Sequence, residues 1–468
     1  MPSAPTPVPA LDGQAWLPDD PGFTEAVFGP QFNRRLPDRL PAAVVAAAST
    51  DDVIAAVHWA RDNGWRIAVR SGGHSWAGYS IRDGALLIDT YPMQDMELNA
   101  DHTIVRARPA VQGGETLNPF LGEHGLIFYG GHCPTVAIGG YLLQGGQGWD
   151  CRGVGWSAEF IEGIDVVTAD GTLVHASTSE NADLFWAARG AGAGFFGVVV
   201  NYYLRVQPRP KAWVRNVYAY PIALTPQIFR WAYDTFTNID PRVEIVIVGQ
   251  YLPPEMTGGL DVGPIAMVSG VAIVDDADLG LSLLAPFDTC PVLDQAVAVE
   301  RGIPTSLAKE LEMQYLQNPE GHRYYVNNAW LEGDRDTFPD AFASAFSDLP
   351  NRKTFTLWYH QAPLPKLSDM AFDLQAEIYF SAYTVWEDEA DDERMIAWTS
   401  QAVKQVERWT VGQYIGDSDF GRRPVKFMSD DHFTRLRAIA RTWDPDSTFV
   451  GYLSDDAGMT NVNSWERS

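Results

Sequence analysis

Hydrophobic and polar positions in the first half of the chain follow both helical and strand-like spacing. After the polar stretch 49–52, Val53, Val57 and Ala60 recur at helical intervals and Gly64 ends the pattern, which predicts a helix. Short apolar runs bounded by turn residues predict strands at 66–69, 86–89, 103–107, 164–168, 173–176 and 198–206, with a hairpin turn at Asp170-Gly171. This mixture indicates an α+β domain that ends near residue 210.

The central part of the chain has longer strand-like runs separated by helical patterns. The predicted strands are 243–248, 265–274, 355–360 and 374–383, and the predicted helices are 306–316, 337–346 and 388–405. Strands interleaved with helices in this way indicate a sheet that helices cover on one face.

Alternation is clearest between residues 372 and 383. Because side chains alternate across a strand, one face of this segment is predicted to carry Asp373, Gln375, Glu377, Tyr379, Ser381 and Tyr383. Such a face could contact a hydroxylated substrate, and a solvent-exposed sheet face explains the pattern equally well. A neighbouring aromatic cluster, Trp358, Tyr359 and His360, either lines a pocket or packs in the core.

Composition and charge narrow the class of protein. The chain has 468 residues, of which 46% are hydrophobic, enough for two or three domains of ~150 residues each. A formal net charge of −26 disfavours binding to nucleic acid or to an anionic membrane surface. The Pro-rich first ~35 residues are expected to wrap the surface, and they lack the pattern of a secretory signal. No apolar run reaches the ~18 residues of a membrane span, so we expect a cytoplasmic protein.

The three cysteines do not form a disulfide framework, because they are few and odd in number. Cys151 and Cys290 match no motif and are expected to pack in the core. Zinc-binding motifs are absent from the sequence, so no metal site is predicted.

Two Gly-rich loops carry the candidate chemistry. The apolar run 67–69 leads directly into Ser71-Gly72-Gly73-His74, and consecutive glycines let backbone N–H groups converge on an anion. The second loop, 130–140, contains Cys133, and a further Gly-rich run follows at 145–148. A histidine that closes one such loop and a cysteine that opens another indicate a large phosphate-bearing cofactor, to which either side chain could bond.

These motifs resemble those of one family of flavoenzymes. Residues 70–75 read Arg-Ser-Gly-Gly-His-Ser and residues 131–134 read Gly-His-Cys-Pro, followed by a Gly-rich run at 183–199 and a last motif at 433–449. In this order they are similar to the flavin-attachment pair and later motifs of the berberine bridge enzyme-like oxidases of the vanillyl-alcohol oxidase superfamily. The resemblance covers the chain from about residue 40 to 449.

The resemblance implies an α+β, two-domain PCMH-type FAD-binding fold. A PCMH-type FAD-binding domain would comprise residues 36–210. A substrate domain at 211–411, built on an antiparallel sheet covered by helices, would be inserted before a C-terminal berberine-bridge-like segment at 412–455 that returns to the FAD domain. FAD would bind between the two domains, in a protein that is a monomer or a homodimer.

The same resemblance implies bicovalent FAD. His74 would bond to the flavin 8α carbon, and Cys133 would form a thioether to flavin C6. His132 stands where threonine or serine is more usual in the family. The residues implied as further cofactor contacts are Arg70, Ser71, Gly72, Gly73, Ser75, Val136, Gly139, Gly140, Gly145, Gly146, Gly197 and Val198.

The implied reaction is the oxidation of an alcohol, hemiacetal or amine of a sugar-like or secondary-metabolite substrate. A hydride would pass to the flavin, a base would take the proton, and molecular oxygen would regenerate the flavin and yield hydrogen peroxide. The family places a Tyr-x-Asn-Tyr base motif near its C-terminus. Here Tyr414 matches the first tyrosine, whereas Gly416 and Asp417 replace the asparagine and the second tyrosine. Tyr414 is the leading base candidate, with Asp417 and Tyr379 as alternatives.

Gln375 and Tyr379 are the candidate substrate contacts. Two other functions remain open at the level of sequence. One is a dehydrogenase of the same fold that uses an acceptor other than oxygen. The other is a flavin-loaded binding protein with weakened catalysis, which the departure from Tyr-x-Asn-Tyr favours.

Overall fold

The computed structural model describes residues 6–252, 262–334, 336–419, 421–453 and 463. Positions 454 and 455, the last two of the predicted C-terminal segment, lie outside the described residues. The fold is α+β with mainly antiparallel sheets, as predicted. The α-helices are α1 Phe23–Phe28, α2 Thr50–Asp62, α3 Asn118–Gly122, α4 Ile138–Leu143, α5 Cys151–Val154, α6 Ala182–Ala188, α7 Thr225–Phe236, α8 Ala277–Leu283, α9 Leu307–Gln317, α10 Phe338–Ser347, α11 Asp392–Gln405 and α12 Asp430–Trp443.

Two small sheets form the part of the molecule that carries the Gly-rich loops. The four-stranded sheet has the order β1-β2-β4-β3, with β1 Gln14–Trp16 antiparallel to β2 Ala43–Ala46 and with β2, β3 Ile67–Arg70 and β4 Leu86–Asp89 parallel. The five-stranded antiparallel sheet has the order β5-β6-β10-β8-β9, with β5 Met96–Leu98, β6 Ile104–Ala107, β8 Ile161–Val167, β9 Leu173–Ser177 and β10 Val198–Arg205. A further pair joins β7 Leu126–Ile127 to β11 Gln207–Pro208.

The rest of the chain builds one eight-stranded antiparallel sheet. Its order is β15-β12-β14-β13-β17-β18-β16-β19, from β12 Ala212–Pro221, β13 Val243–Tyr251, β14 Pro264–Val274, β15 Ala298–Thr305, β16 Arg323–Leu331, β17 Phe355–His360, β18 Ile378–Trp386 and β19 Thr410–Gly412. Helices α7, α10 and α11 pack on one face through a core that includes Phe229, Phe342, Trp358 and Phe380. Helices therefore cover one face as predicted, but α9 packs on the other face, where Leu307 and Leu311 cluster with Trp213, Val271 and Ile273.

The two ends of the chain both join the four-stranded sheet. The N-terminal segment does more than wrap the surface, because β1 pairs with β2. At the other end, Ile67 forms a parallel bridge with Phe449, and the Val450 N–H donates to the Ile67 carbonyl at 2.8 Å. The chain therefore returns to its first sheet after α12. Among the described residues, no helix is long and apolar enough to span a membrane.

Several predicted elements differ from the structure. The strand predicted at 374–383 begins only at Ile378, because the Gln375 side chain bonds Trp156 and the Pro365 carbonyl in a loop instead. The helix predicted at 388–405 opens with a 3₁₀ turn, and its α-helical part begins at Asp392. The strands that were not predicted are β1, β2, β5, β7, β11, β12, β15, β16 and β19.

Candidate functional site

A cavity of about 1190 Å³ lies between the Gly-rich loops and the face of the eight-stranded sheet that α7, α10 and α11 leave uncovered. Most of the predicted cofactor contacts lie on its wall. These are Arg70, Ser71, Gly72, Gly73, His74, Ser75, Cys133, Val136, Gly139, Gly140 and Gly197. The three base candidates Tyr414, Asp417 and Tyr379 line the same cavity, so the fold brings both groups together.

The first loop leaves β3 with a backbone that only glycine allows. Gly73 has φ +72°, and a Cβ there would lie 1.9 Å from the Pro30 carbonyl oxygen. A Cβ on Gly72 would lie 2.6 Å from that of Ala137 in the second loop. Within the described part of the chain, the N–H groups from Gly72 to Ser75 donate to no protein acceptor. Unpaired N–H groups at the wall of a large cavity suit an anionic ligand such as a pyrophosphate.

The Arg70 side chain does not face the cavity, although its position lies on the wall. Its guanidinium is buried, and it donates to the Ala26 and Val27 carbonyls at the end of α1 and to Asp89 Oδ2 at 2.6 Å. These bonds fix the end of β3. Arg70 therefore orients the loop and does not supply a side chain for a pyrophosphate.

The His74 ring is held from two sides. Phe32 stacks on it with ring centroids 4.5 Å apart, and Thr135 Oγ1 lies 2.9 Å from His74 Nε2. Nδ1 has no hydrogen-bond partner among the described residues. Burial lowers the pKa of His74 from 6.5 to about 4, which keeps the imidazole neutral. A neutral ring with one nitrogen anchored and the other without a partner is suited to bond formation at Nδ1.

Cys133 lies beside the same threonine. Its Sγ is 3.9 Å from Thr135 Oγ1, so one hydroxyl contacts both predicted attachment residues. Burial raises the pKa of the Cys133 thiol to about 11, and the Thr135 hydroxyl acts in the opposite direction. The unreacted thiol is therefore protonated at neutral pH. Cys151 and Cys290 are free and buried, as expected of packing residues.

The remaining Gly-rich positions divide into two kinds. Gly139 and Gly140 lie on α4 and line the cavity, and a Cβ on Gly140 would meet only open space. Gly145 and Gly146 form the turn after α4 and do not line the cavity. They have positive φ, and a Cβ at these positions would meet Phe372 at 2.9 Å and Ser157 at 2.9 Å. Val198 does not line the cavity either, whereas its neighbour Val199 does.

Three donors converge on the Asp417 carboxylate. Trp76 Nε1 donates to Oδ1 at 2.8 Å, and the hydroxyls of Tyr379 and Tyr383 donate to Oδ2 at 2.6 Å and 2.8 Å. Burial and the charge of Asp417 raise the pKa of both tyrosines. Asn328 fixes the backbone of this segment by donating to the carbonyls of Tyr414 and Asp417.

Tyr414 is buried beside this group. Its hydroxyl accepts a bond from the Gln147 N–H at 3.3 Å, but burial and the charge of Asp417 raise its pKa. Gly416 lies against its ring, where a Cβ would stand 2.5 Å from Tyr414 Cε1. A side chain at this position would therefore have to displace the Tyr414 ring and the Gln144 side chain.

The opposite wall presents a buried carboxylate. Glu244 is 4% exposed, its Oε1 accepts from the Asp150 N–H at 3.0 Å, and its Oε2 has no partner among the described residues. His132 Nε2 lies 3.7 Å from Glu244 Oε1, and the His132 ring packs on Trp149. Burial and the nearby Glu244 raise the pKa of Asp150 to about 8. Glu244 therefore lines the cavity with a carboxylate whose Oε2 is buried and unpaired.

The structure divides the remaining substrate candidates. Gln375 lies off the cavity wall, with its side chain bonded to Trp156 at 3.0 Å and to the Pro365 carbonyl at 2.7 Å. Tyr379 lines the cavity, as does Tyr359. Trp358 and His360 point to the opposite face and are fully buried beneath the helices, so this cluster both lines the pocket and packs.

Several residues of the site were not among the predicted ones. Glu244 is the only charge in the apolar run 243–248, and that isolated charge is a signal in the sequence. Trp76 and Thr135 each stand two residues beyond a predicted attachment residue. Nothing local marks Phe32, which reaches His74 from a distant segment.

Comparisons with known proteins agree with this geometry. Residues 41–177 match the family model of the FAD binding domain. The FAD-linked oxidoreductase ptmO of Penicillium ochrochloron is 32% identical over 429 residues, which are 91% of this chain and 93% of the fungal protein. The structure of 6-hydroxy-D-nicotine oxidase from Arthrobacter nicotinovorans has a TM-score of 0.81 at 20% identity, covering 96% of this chain and 98% of that one.

A second solved structure shares the fold and has a described flavin linkage. Glucooligosaccharide oxidase from Acremonium strictum has a TM-score of 0.80 at 20% identity, covering 95% and 97% of the two chains, and it carries a 6-S-cysteinyl, 8α-N1-histidyl FAD. The present chain belongs to the FAD-linked oxidoreductases, and it shares its fold with a berberine bridge enzyme-like protein of Physcomitrella patens. It is an FAD-dependent oxidoreductase, and the predicted family, fold and enzyme class are confirmed.

Proposed function

We propose that the protein is an oxidase that carries FAD bonded to both His74 and Cys133. The observation that carries this proposal is the position of the two side chains. Both line one large cavity, and both lie within hydrogen-bonding distance of the Thr135 hydroxyl. The unpaired N–H groups from Gly72 to Ser75 would hold the pyrophosphate. The linkage described for glucooligosaccharide oxidase joins the same two residue types to FAD and supports this assignment.

FAD would accept a hydride from the substrate carbon, and residues of this chain would take the proton. Asp417 has the stronger case as the base, because an ionised carboxylate only accepts hydrogen bonds and its neighbours all donate to it. Tyr379, which donates to Asp417 at 2.6 Å and lines the cavity, can pass a substrate proton to that carboxylate. Tyr414 has a raised pKa, so it is the second candidate.

The substrate would occupy the part of the cavity against the eight-stranded sheet. This wall is mainly apolar, with Val246, Val248 and Leu357, and it carries Glu244 as an acceptor without a second partner. We infer a small-molecule alcohol, hemiacetal or amine with a sizeable apolar part. A hydroxyl or amino group donating to Glu244 would orient it.

The proposal is tested by mixing the purified protein anaerobically with panels of sugars, alcohols and amines and following the flavin absorbance. We expect at least one substrate to bleach the flavin, and oxygen to restore the colour with formation of hydrogen peroxide. Restoration by an artificial quinone acceptor but not by oxygen would identify a dehydrogenase. A substrate-sized ligand that perturbs the spectrum without bleaching it would indicate a binding protein.

A further inference from the structure

The Thr135 hydroxyl contacts two side chains that line the cavity. Thr135 itself is only 9% exposed, and its hydroxyl lies within hydrogen-bonding distance of both His74 Nε2, at 2.9 Å, and Cys133 Sγ, at 3.9 Å. A threonine hydroxyl has one proton to donate and can accept at its oxygen. It can therefore serve one neighbour as acceptor and the other as donor at the same time.

We propose that Thr135 is a positioning residue for flavin attachment, accepting from His74 Nε2–H and donating to Cys133 Sγ. This inference rests on the bicovalent attachment proposed above. With the imidazole proton on Nε2, the lone pair of a neutral ring is on Nδ1, the nitrogen without a partner. Phe32, stacked at 4.5 Å, holds the ring plane while Thr135 fixes its rotation.

The same hydroxyl acts on the thiol. Cys133 is largely protonated at neutral pH, whereas the thiolate is the reactive form. A hydrogen bond donated to Sγ favours the thiolate, and the Thr135 hydroxyl is placed to provide it. One side chain thus assists both linkages.

Each link forms by an oxidation for which molecular oxygen is the oxidant. One bond forms between a protein heteroatom and a flavin carbon, and one hydrogen leaves each partner. The two electrons pass to the flavin ring, and molecular oxygen removes them as hydrogen peroxide. For His74 the departing proton is the one on Nε2, which hydrogen-bonds to the Thr135 oxygen until the ring releases it to solvent.

The test replaces Thr135 with valine, which keeps the shape and removes the hydroxyl, and with serine, which keeps the hydroxyl. Peptide mass spectrometry of the purified full-length protein measures the FAD-linked fraction at His74 and at Cys133 separately. Thr356→Val, at a fully buried threonine beneath the sheet, is the matched control for the substitution itself. Loss of a hydrogen bond predicts an FAD-linked fraction about 3- to 10-fold lower in Thr135→Val than in wild type, with Thr135→Ser close to wild type.

The effect of Thr135 on each link is measured separately in variants that can form only one of the two links. In Cys133→Ala, Thr135→Val should lower the His74 link, and in His74→Ala it should lower the Cys133 link. Full linkage in Thr135→Val would overturn the inference, as would a loss that serine does not restore. If Thr135→Val does not fold, Thr135→Ser still decides, because loss of linkage in a folded serine variant contradicts the proposal. A wild-type protein without either link would instead overturn the proposed bicovalent attachment.

Discussion

The two walls of the cavity are built in different ways. The flavin-side wall comes from short contiguous segments, chiefly 71–75 and 133–140. The backbone of these segments forms much of the wall. The sheet-side wall takes single side chains such as Arg215, Glu244 and Met267 from strands far apart in sequence. A contiguous loop depends on glycine and can be identified from its motif. In a wall of alternating strand positions, single side chains can change independently of one another. We therefore expect this wall to determine substrate preference.

The largest expected effect concerns the proton acceptor between the two walls. Asp417→Asn keeps the shape but removes the charge, and loss of a general base costs about 10²- to 10⁴-fold in the rate of anaerobic flavin reduction. Tyr379→Phe should cause a smaller loss if the proton passes through its hydroxyl, and Tyr414→Phe should be near wild type. A wild-type reduction rate in Asp417→Asn together with a large loss in Tyr414→Phe would move the base to Tyr414.

A second prediction tests the dependence of the flavin-side wall on its backbone. Gly73→Ala places a Cβ 1.9 Å from the Pro30 oxygen, in addition to the strain of a positive φ. Gly84→Ala is the matched control, because Gly84 has φ +66° with open space around its Cβ position. The control should lose only about 1–2 kcal/mol of unfolding free energy. Gly73→Ala should lose more and also bind less flavin, as measured by denaturant unfolding and absorbance. Equal losses would contradict this account of the loop.

A third prediction concerns the sheet-side wall. Glu244→Gln removes the charge of the unpaired acceptor, and loss of a charged hydrogen bond to substrate should raise KM by about 10- to 100-fold with little change in kcat. Glu310→Gln is the matched buried control, because Thr305 and Arg215 already donate to its two oxygens. Steady-state kinetics with an identified substrate measures both. A KM change in the control but not in Glu244→Gln would place substrate recognition elsewhere on this wall.

The smallest expected effect is on the pH dependence of the unfolding free energy. It comes from a histidine buried beneath the sheet-side wall. Burial lowers the pKa of His360 from 6.5 to about 3, so between these values the unfolded chain binds a proton that the folded protein does not. Stability therefore falls as pH drops below 6.5, by at most about 1.4 kcal/mol per pH unit from this group. His360→Gln should reduce this dependence in urea unfolding at pH 7.5, 6 and 5, and the exposed His58→Gln should not. Identical pH dependence in wild type and His360→Gln would refute the prediction.

The difference between the walls also explains what the sequence could predict. The motifs of residues 70–75 and 131–140 were sufficient to predict His74 and Cys133 as neighbours on one cavity wall, because both lie within a few residues of the glycines. Gln375 was placed with Tyr379 by alternation, but the strand begins only at Ile378, after a loop that Trp156 and Pro365 hold. Local pattern does not record such long-range bonds.

Position within a motif was also a poor guide to the direction of a side chain. Arg70 belongs to the first motif, yet Asp89 and the end of α1 take its guanidinium away from the cavity. Asp417 entered the sequence argument as a departure from the family pattern. The structure shows why an acid can stand there, since Trp76, Tyr379 and Tyr383 supply three donors from separate segments. These contacts depend on tertiary packing.

We propose that this cavity holds FAD through two bonds to the protein. Intact-mass measurement under denaturing conditions is decisive in wild type, His74→Ala, Cys133→Ala and the double variant. We expect a mass increment of one FAD in the wild type and in each single variant, and none in the double variant. A wild-type protein that releases all of its flavin on denaturation, or a double variant that retains it, would disprove bicovalent attachment.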